Sequence, residues 1–164
     1  MAYSGRYVVK NKDKYSGDHT NVTYRSLWEK LTFMWLDRNT EVKSWSSEET
    51  VIPYFWEIDK KYHRYFVDIK VTYTNGKTHL IEIKPAKETA PPKNPNKGKR
   101  YISEAMTYVK NMNKWEAANN YAKDRGWVFE IWTEDTLKKK GIMKEQKGKL
   151  KPLKPLAPYR KKKK

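Results

Sequence analysis

Asp68, Glu82 and Lys84 are the residues of this chain whose types and spacing could do chemistry, and all three fall within Tyr65–Pro85. Two carboxylates brought side by side repel unless a cation lies between them. A hard divalent ion such as Mg2+ takes a few carboxylate oxygens and keeps several waters, which suits an Asp and a Glu at a strand end. A lysine two residues after the Glu projects from the same face of a strand. There its ammonium can hold an attacking water and offset charge on a phosphate. Together the three residues are the set that metal-dependent phosphodiester hydrolysis requires. The same spacing also fits a solvated outer sheet face, on which Lys70, Lys84 and the acids make ordinary cross-strand pairs.

Register decides whether the acids can meet. The stretch reads as a hairpin: a strand ending at Tyr73, a turn at Thr74-Asn75-Gly76, and a second strand over 78–84. A two-residue Asn75-Gly76 turn would set Asp68 against Ile83 and mix polar with apolar on both faces. A three-residue loop with Gly76 in the left-handed position pairs Tyr73 with Lys77 and Asp68 with Glu82. Val67, Ile69, Val71, Ile81 and Ile83 then share one face, and Asp68, Glu82 and Lys84 the other. A slip of one residue inverts every side chain, so the apolar pattern selects the second register.

The flanking elements must hold this hairpin in place. Leu27, Leu31, Met34 and Trp35 recur at helical spacing after Ser26, with Asn39 near the end. On that helix Glu29 lies in line with Phe33 and Leu36, so both faces are apolar and the helix is expected between layers. Glu29 is either a cap of the first turn, at the Ser-x-x-Glu spacing, or a carboxylate held away from bulk water that needs a cation. Val42–Glu49 reads as a polar turn, Thr50–Ile58 as a first strand broken by Pro53, and Arg64–Tyr73 as a second, continuous one. Pro85–Lys99 is a proline-rich loop. A helix of about six turns follows, with Ala105, Val109, Met112 and Trp115 as its core stripe and Gly126 closing it. Trp127–Thr133 is a fourth strand, and Thr133 caps a short last helix. Helix, three-strand meander, helix, strand is an α/β order, which predicts a mixed sheet flanked by helices.

Composition sets the limits. At 164 residues with seven Trp and twelve Tyr, the chain can build one modest core. From Lys138 to Lys164 there are thirteen Lys/Arg against one Glu, a net +12 of the chain's +17, which leaves +5 for the rest. This divides the chain into a polar N-terminal arm (1–22), a folded domain (23–137) and a basic Lys/Pro-rich tail (138–164). A tail of this kind either contacts a polyanion or only solvates itself. With no lipidation signal or amphipathic face beside it, nucleic acid is the expected partner rather than membrane. Lys138, Lys139, Lys140, Arg160, Lys161 and Lys162 are its expected DNA contacts. The absence of cysteine excludes disulfides and thiolate chemistry. A polar N-terminus and the lack of any membrane-length apolar run predict a soluble, cytoplasmic protein.

Several stretches resemble those of the PD-(D/E)XK nucleases, in the branch similar to the N-terminal domain of the TnsA transposase endonuclease. They are Arg25-Ser-x-x-Glu29, Trp45-x-Ser-x-Glu-x-x-Val-Ile-Pro-Tyr54, His63-x-Tyr-x-Val-Asp68, Ile81-Glu-Ile-Lys84 and Phe129-x-Ile-Trp-Thr-Glu134. More narrowly, the whole chain is similar to small nucleases that T-even-type tailed phages use in completing DNA-filled heads. The resemblance implies a restriction-endonuclease-like core and endo- and exonucleolytic cutting of double-stranded DNA with Mg2+, or Mn2+ in its place. No nucleotide cofactor is implied. It implies work at the head vertex beside neck proteins before head-tail joining, in the host cytoplasm, with retention in the virion as one outcome. By motif position Asp68 and Glu82 become metal ligands, Lys84 the catalytic lysine, and Glu29 the helix acid that completes the site, directly or through water. Val67 stands where the motif has proline. His63 is expected to be structural or to contact phosphate, and His19 and His79 have no assigned role. Trp28, Trp35, Trp115 and Trp127 read as core, Trp45 and Trp56 as core or as base-stacking platforms. Lys114, on the second long helix, reads as a solvated face or a phosphate contact. The competing function is a non-catalytic head-closure protein that grips DNA or the portal through its tail; an RNA-binding module would need an aromatic signature the chain lacks.

Overall fold

A computed structural model describes residues 3–93 and 98–144. The elements run β1 (Gly5–Arg6), β2 (Thr23–Tyr24), α1 (Leu27–Arg38), β3 (Val42–Ser47), β4 (Val51–Trp56), β5 (Lys61–Phe66), β6 (Ile69–Tyr73), β7 (Thr78–Ile83), α2 (Lys99–Asp124), β8 (Val128–Trp132) and α3 (Glu134–Lys139). A four-stranded sheet of order β3-β6-β7-β8 forms the centre, antiparallel except for the β7–β8 pair, which is parallel. A parallel pair needs a crossover, and α2 provides it. One face of the sheet buries Ile69, Val71, Ile81 and Trp132 against Phe33 and Leu36 of α1. The other buries Val67 and Leu80 against Trp115, Ala118 and Ala122 of α2 and against Ile52 and Tyr54 of the β4–β5 hairpin. This is the mixed sheet with flanking helices that the element order predicts, and it is consistent with the restriction-endonuclease-like core that the resemblance implies.

Several details differ from the sequence reading. The stretch 42–49 is a strand, not a turn: Val42–Ser47 pairs with β6, and Trp45 is 1% exposed. Its serines hide the period, because Ser46 and Ser47 are buried along with Trp45. The meander is therefore β3, β6 and β7, and residues 51–66 form a separate hairpin packed on α2. The expected second strand is also cut in two at Val67–Asp68. Glu48, held at φ 56, donates its N–H to the carbonyls of both residues, and Val67 N–H bonds Thr50. Consequently Val67 and Ile69, expected on one face, enter the two opposite cores.

The first 22 residues, expected as a polar arm, contribute Tyr3, Tyr7, Val9, Tyr15 and Val22 to the core on the α1 side. Asp37, 2% exposed, holds them there: its carboxylate accepts from Tyr7 Oη (2.8 Å), Lys10 N (2.8 Å) and Asn11 N (3.0 Å). On α1 the most buried side is the one carrying Phe33 and Leu36, while Met34 of the expected stripe is 36% exposed. On α2 burial is confined to the second half, from Asn111 to Ala122, and Ile102 and Met106 of the first half are exposed.

Candidate functional site

The β6–β7 hairpin adopts the register selected by its apolar pattern. Ile69 pairs with Ile81, Val71 with His79 and Thr72 with Thr78. Tyr73 N–H bonds Lys77 O across the three-residue loop, and Gly76 has φ 88, which only glycine adopts without strain. Continued by one residue, the same register sets Asp68 opposite Glu82.

The ladder stops there, and the side chain of Asp68 replaces it. Antiparallel pairs alternate between hydrogen-bonded and open, so Ile83 N–H would have bonded Val67 O. That carbonyl is taken by Glu48, and Ile83 N–H donates to Asp68 Oδ2 instead (2.8 Å). The carboxyl of Asp68 is fixed by the strand end beside it. Glu82, 6% exposed, accepts a hydrogen bond from Tyr65 Oη (2.5 Å) and lies 3.6 Å from Lys84 Nζ through its other oxygen. Lys84 in turn is 4.0 Å from Glu88, which follows in a 3-10 turn over Ala86–Thr89. The backbone N–H of Lys84 bonds Trp132 O (3.0 Å), which pins the lysine to the end of the sheet.

Glu29 approaches from the first turn of α1. Ser26 Oγ caps that turn by accepting from Glu29 N (3.1 Å), while Glu29 Oε1 accepts from Arg25 N (2.7 Å). The two readings of Glu29 are thus not exclusive: it belongs to the cap, and its charge acts on the other acids. Burial raises its carboxyl pKa, the Arg25 N–H pulls it back, and Glu48 and then Glu82 push it up again. Asp68 is raised well above the ordinary carboxylate value by burial first, then by Glu82 and Glu29. The Ile83 N–H and Lys84 oppose this without cancelling it. Glu82 and Glu29 therefore act together on Asp68, Lys84 offsets them only in part, and the patch can accept additional positive charge.

Among the described residues, no three His, Asp or Glu side chains already surround a single point as metal ligands. Asp68 and Glu82 alone would leave most coordination positions to water or to a substrate oxygen. That fits a Mg2+-like ion and does not fit a closed structural metal centre.

Three neighbours carry weaker sequence signals. Tyr65 sits inside the β5 run as one aromatic among several; burial and then Glu82 push its hydroxyl pKa well up, so it remains a donor to Glu82. Glu48, hidden in the stretch read as a turn, makes an ion pair with Arg25 and stands near Glu29. Lys114 is half-buried on α2, its Nζ 5.5 Å from the Tyr65 ring centroid and 5.9 Å from that of Tyr54. Burial lowers its pKa against the pull of Glu82. Spacing alone puts Lys114 on a solvated face; the hairpin folding back over α2 turns it toward the acids.

Other expected residues lie elsewhere. His63 bonds Asp59 (2.6 Å) and stacks on Tyr54 within its hairpin. Trp45 is core. Of the tail lysines, Lys138 has a buried Nζ with no partner among the described residues, while Lys139 and Lys140 are exposed, Lys140 with its Nζ over the Trp132 ring (4.7 Å). Arg160, Lys161 and Lys162 fall outside the described residues. Ile142 and Met143, inside the stretch read as tail, are buried in the core. No helix among the described residues is long and apolar enough to cross a membrane.

Comparison with known proteins follows the same lines. Residues 39–134 match the family described as TnsA-like endonuclease, N-terminal. The chain is also 48% identical over 147 residues to a protein of Enterobacteria phage T4 named head completion nuclease, an alignment covering 87% of this chain and 98% of that protein.

Proposed function

Because the chain belongs to the TnsA-like endonuclease N-terminal family, we propose that it is a metal-dependent DNA nuclease of phage head completion, with Glu29, Asp68, Glu82 and Lys84 as its working residues. The observation that carries this reading is Asp68 at a sheet end, fixed by Ile83 N–H, with Glu82 and Glu29 acting on it and Lys84 paired to Glu82 beside it. Mg2+, or Mn2+ in its place, would supply the Lewis acidity that polarises the phosphate. Asp68 and Glu82 would hold that ion, their orientation set by Ile83 N–H and Tyr65 Oη. Glu29 adds negative charge from the third side, directly or through a water. Lys84 holds the attacking water or the phosphate oxygen facing it. As the water oxygen forms its bond to phosphorus it gives up a proton to solvent, one ester P–O bond breaks, and the leaving oxygen takes up a proton in return. Lys114 is placed to meet the next phosphate.

Nothing in this chemistry reads bases, and the basic tail adds phosphate contact without sequence preference. Double-stranded DNA at the phage head vertex is accordingly the substrate in this reading, with endonucleolytic cutting and exonucleolytic trimming both within reach of the same site. Supercoiled plasmid tests the first and linear duplex the second. With Mg2+ the protein should nick the plasmid, and Asp68→Ala or Lys84→Ala should slow nicking by about 10²-fold or more. If Asp68→Ala and Lys84→Ala both cut at the unmodified protein's rate, the site is elsewhere. If the unmodified protein does not cut at all, the non-catalytic head-closure function takes its place.

A further inference from the structure

One stripe of α2 leads away from the site and changes character along its length. Lys114, Lys110, Met106 and Ile102 are each four residues apart, so they form one ridge that winds about 40° around the helix at each step. Lys114 belongs to the acid cluster described above. Lys110 Nζ lies 4.2 Å over the ring of Trp56, at the end of β4. Beyond it Met106 and Ile102 are 37% and 55% exposed, although both are apolar. With Trp56 and Lys99 they line a cavity of about 330 Å³, near the lower end of the range for ligand pockets.

Exposed apolar side chains, an indole and two lysines in one hollow form a specific combination. An uncharged apolar protein segment would cover Ile102 and Met106 and leave the lysines without a counter-charge. A duplex would meet the lysines and leave the apolar groups wet, since its bases are already stacked. An unpaired nucleotide satisfies both, because its phosphate meets Lys99 or Lys110 and its base covers Ile102 and Met106 beside the Trp56 ring that Lys110 overlies. The spacing agrees: Met106 is eight residues from Lys114, roughly 12 Å along the helix, or about three to four base steps of duplex rise.

We propose that the cavity between Trp56, Ile102, Met106 and Lys110 is a subsite for an unpaired nucleotide of the DNA substrate, a few nucleotides from the bond that is cut. Its ligand class rests on the nuclease reading above. The protein then prefers DNA carrying a single-stranded segment, such as a frayed end or an overhang, to a blunt duplex.

Binding without metal separates this inference from catalysis. Fluorescence anisotropy in EDTA would compare a labelled single-stranded oligonucleotide with a blunt duplex of the same length. The double variant Ile102→Ser/Met106→Ser changes only exposed side chains, so its melting should match that of the unmodified protein. We expect it, and separately Lys110→Gln, to weaken single-strand binding about tenfold while duplex binding changes less than twofold. Equal weakening on both ligands would reduce the cavity to part of a general electrostatic groove and overturn the proposal, as would no change on either. Absence of Mg2+-dependent cutting by the unmodified protein, with this binding pattern found, would refute the nuclease reading and leave the cavity as a binding site for an unpaired nucleotide.

Discussion

Replacing Asp68 separates its two tasks. In the folded protein its Oδ2 takes the hydrogen bond of Ile83 N–H, and its charge sits beside Glu82 and Glu29. Asp68→Asn keeps an oxygen for Ile83 and removes the charge; Asp68→Ala removes both. A buried N–H left unpaired costs about 1–3 kcal/mol, and a chain of this length shifts its Tm by roughly 2–4 °C per kcal/mol. In EDTA at pH 8, Asp68→Ala should therefore melt about 2–12 °C below the unmodified protein. Asp68→Asn should melt at or above it. The sign with pH follows from the raised folded-state pKa. The unfolded carboxyl ionises near pH 4, so ionising Asp68 in the folded state costs stability as pH rises from there toward its folded pKa. The advantage of Asn is then full above that folded pKa and shrinks as pH falls toward about 4. Both variants should lose cutting. Differential scanning calorimetry from pH 4 to 8 measures all of this, and an Asp68→Asn protein that melts as low as Asp68→Ala would refute the picture of a crowded, uncompensated charge.

Tyr65→Phe deletes the donor to Glu82; a hydrogen bond to a charged group is worth about 1.5–3 kcal/mol, and cutting should fall with a smaller loss than Glu82→Gln produces. Equal activity of Tyr65→Phe and the unmodified protein would show that Glu82 holds its position without it. Asp37→Ala should release the N-terminal segment, seen as new protease cleavage among the first 22 residues, because three donors lose their acceptor together. Burial raises the Asp37 pKa, but the bonds from Lys10, Tyr7 and Asn11 lower it by more, so this clamp contributes stability above about pH 4 that is lost as pH falls through its lowered folded value. Removing residues 145–164 should flatten the salt dependence of DNA binding by roughly one unit of slope for each phosphate the tail neutralises. A cut at Lys138 would instead remove the buried Ile142 and Met143 and confound the result with unfolding.

The hairpin and its register were readable in the sequence because strict alternation over 69–73 and 78–83 leaves one pairing that keeps apolar with apolar. Helices α1 and α2 were readable for the equivalent reason at a period of 3.6, and α3 from its Thr133 cap and the acids of its first turn. β3 was not, because Ser44, Ser46 and Ser47 carry no apolar signal, and Ser46 and Ser47 are buried by what packs over them, such as Tyr15, whose hydroxyl accepts from Ser47 N–H. The break at Val67–Asp68 is equally silent: the alternation runs straight through it, and the cause is a left-handed Glu48 some twenty residues earlier. The N-terminal tyrosines have no period of their own and become core only through the tertiary clamp at Asp37. Within the site, Glu29, Asp68, Glu82 and Lys84 carry motif spacing, whereas Lys114 and Tyr65 acquire their neighbours only when the β4–β5 hairpin lies against α2.

Titration calorimetry of Mg2+ or Mn2+ into the protein, with Asp68→Asn and Glu82→Gln alongside, tests the central claim most directly. The account predicts ion binding that releases protons and strengthens as pH rises, and that either substitution abolishes. Binding of the same strength in both variants would contradict it, because the crowded carboxylates would then not be the seat of the ion.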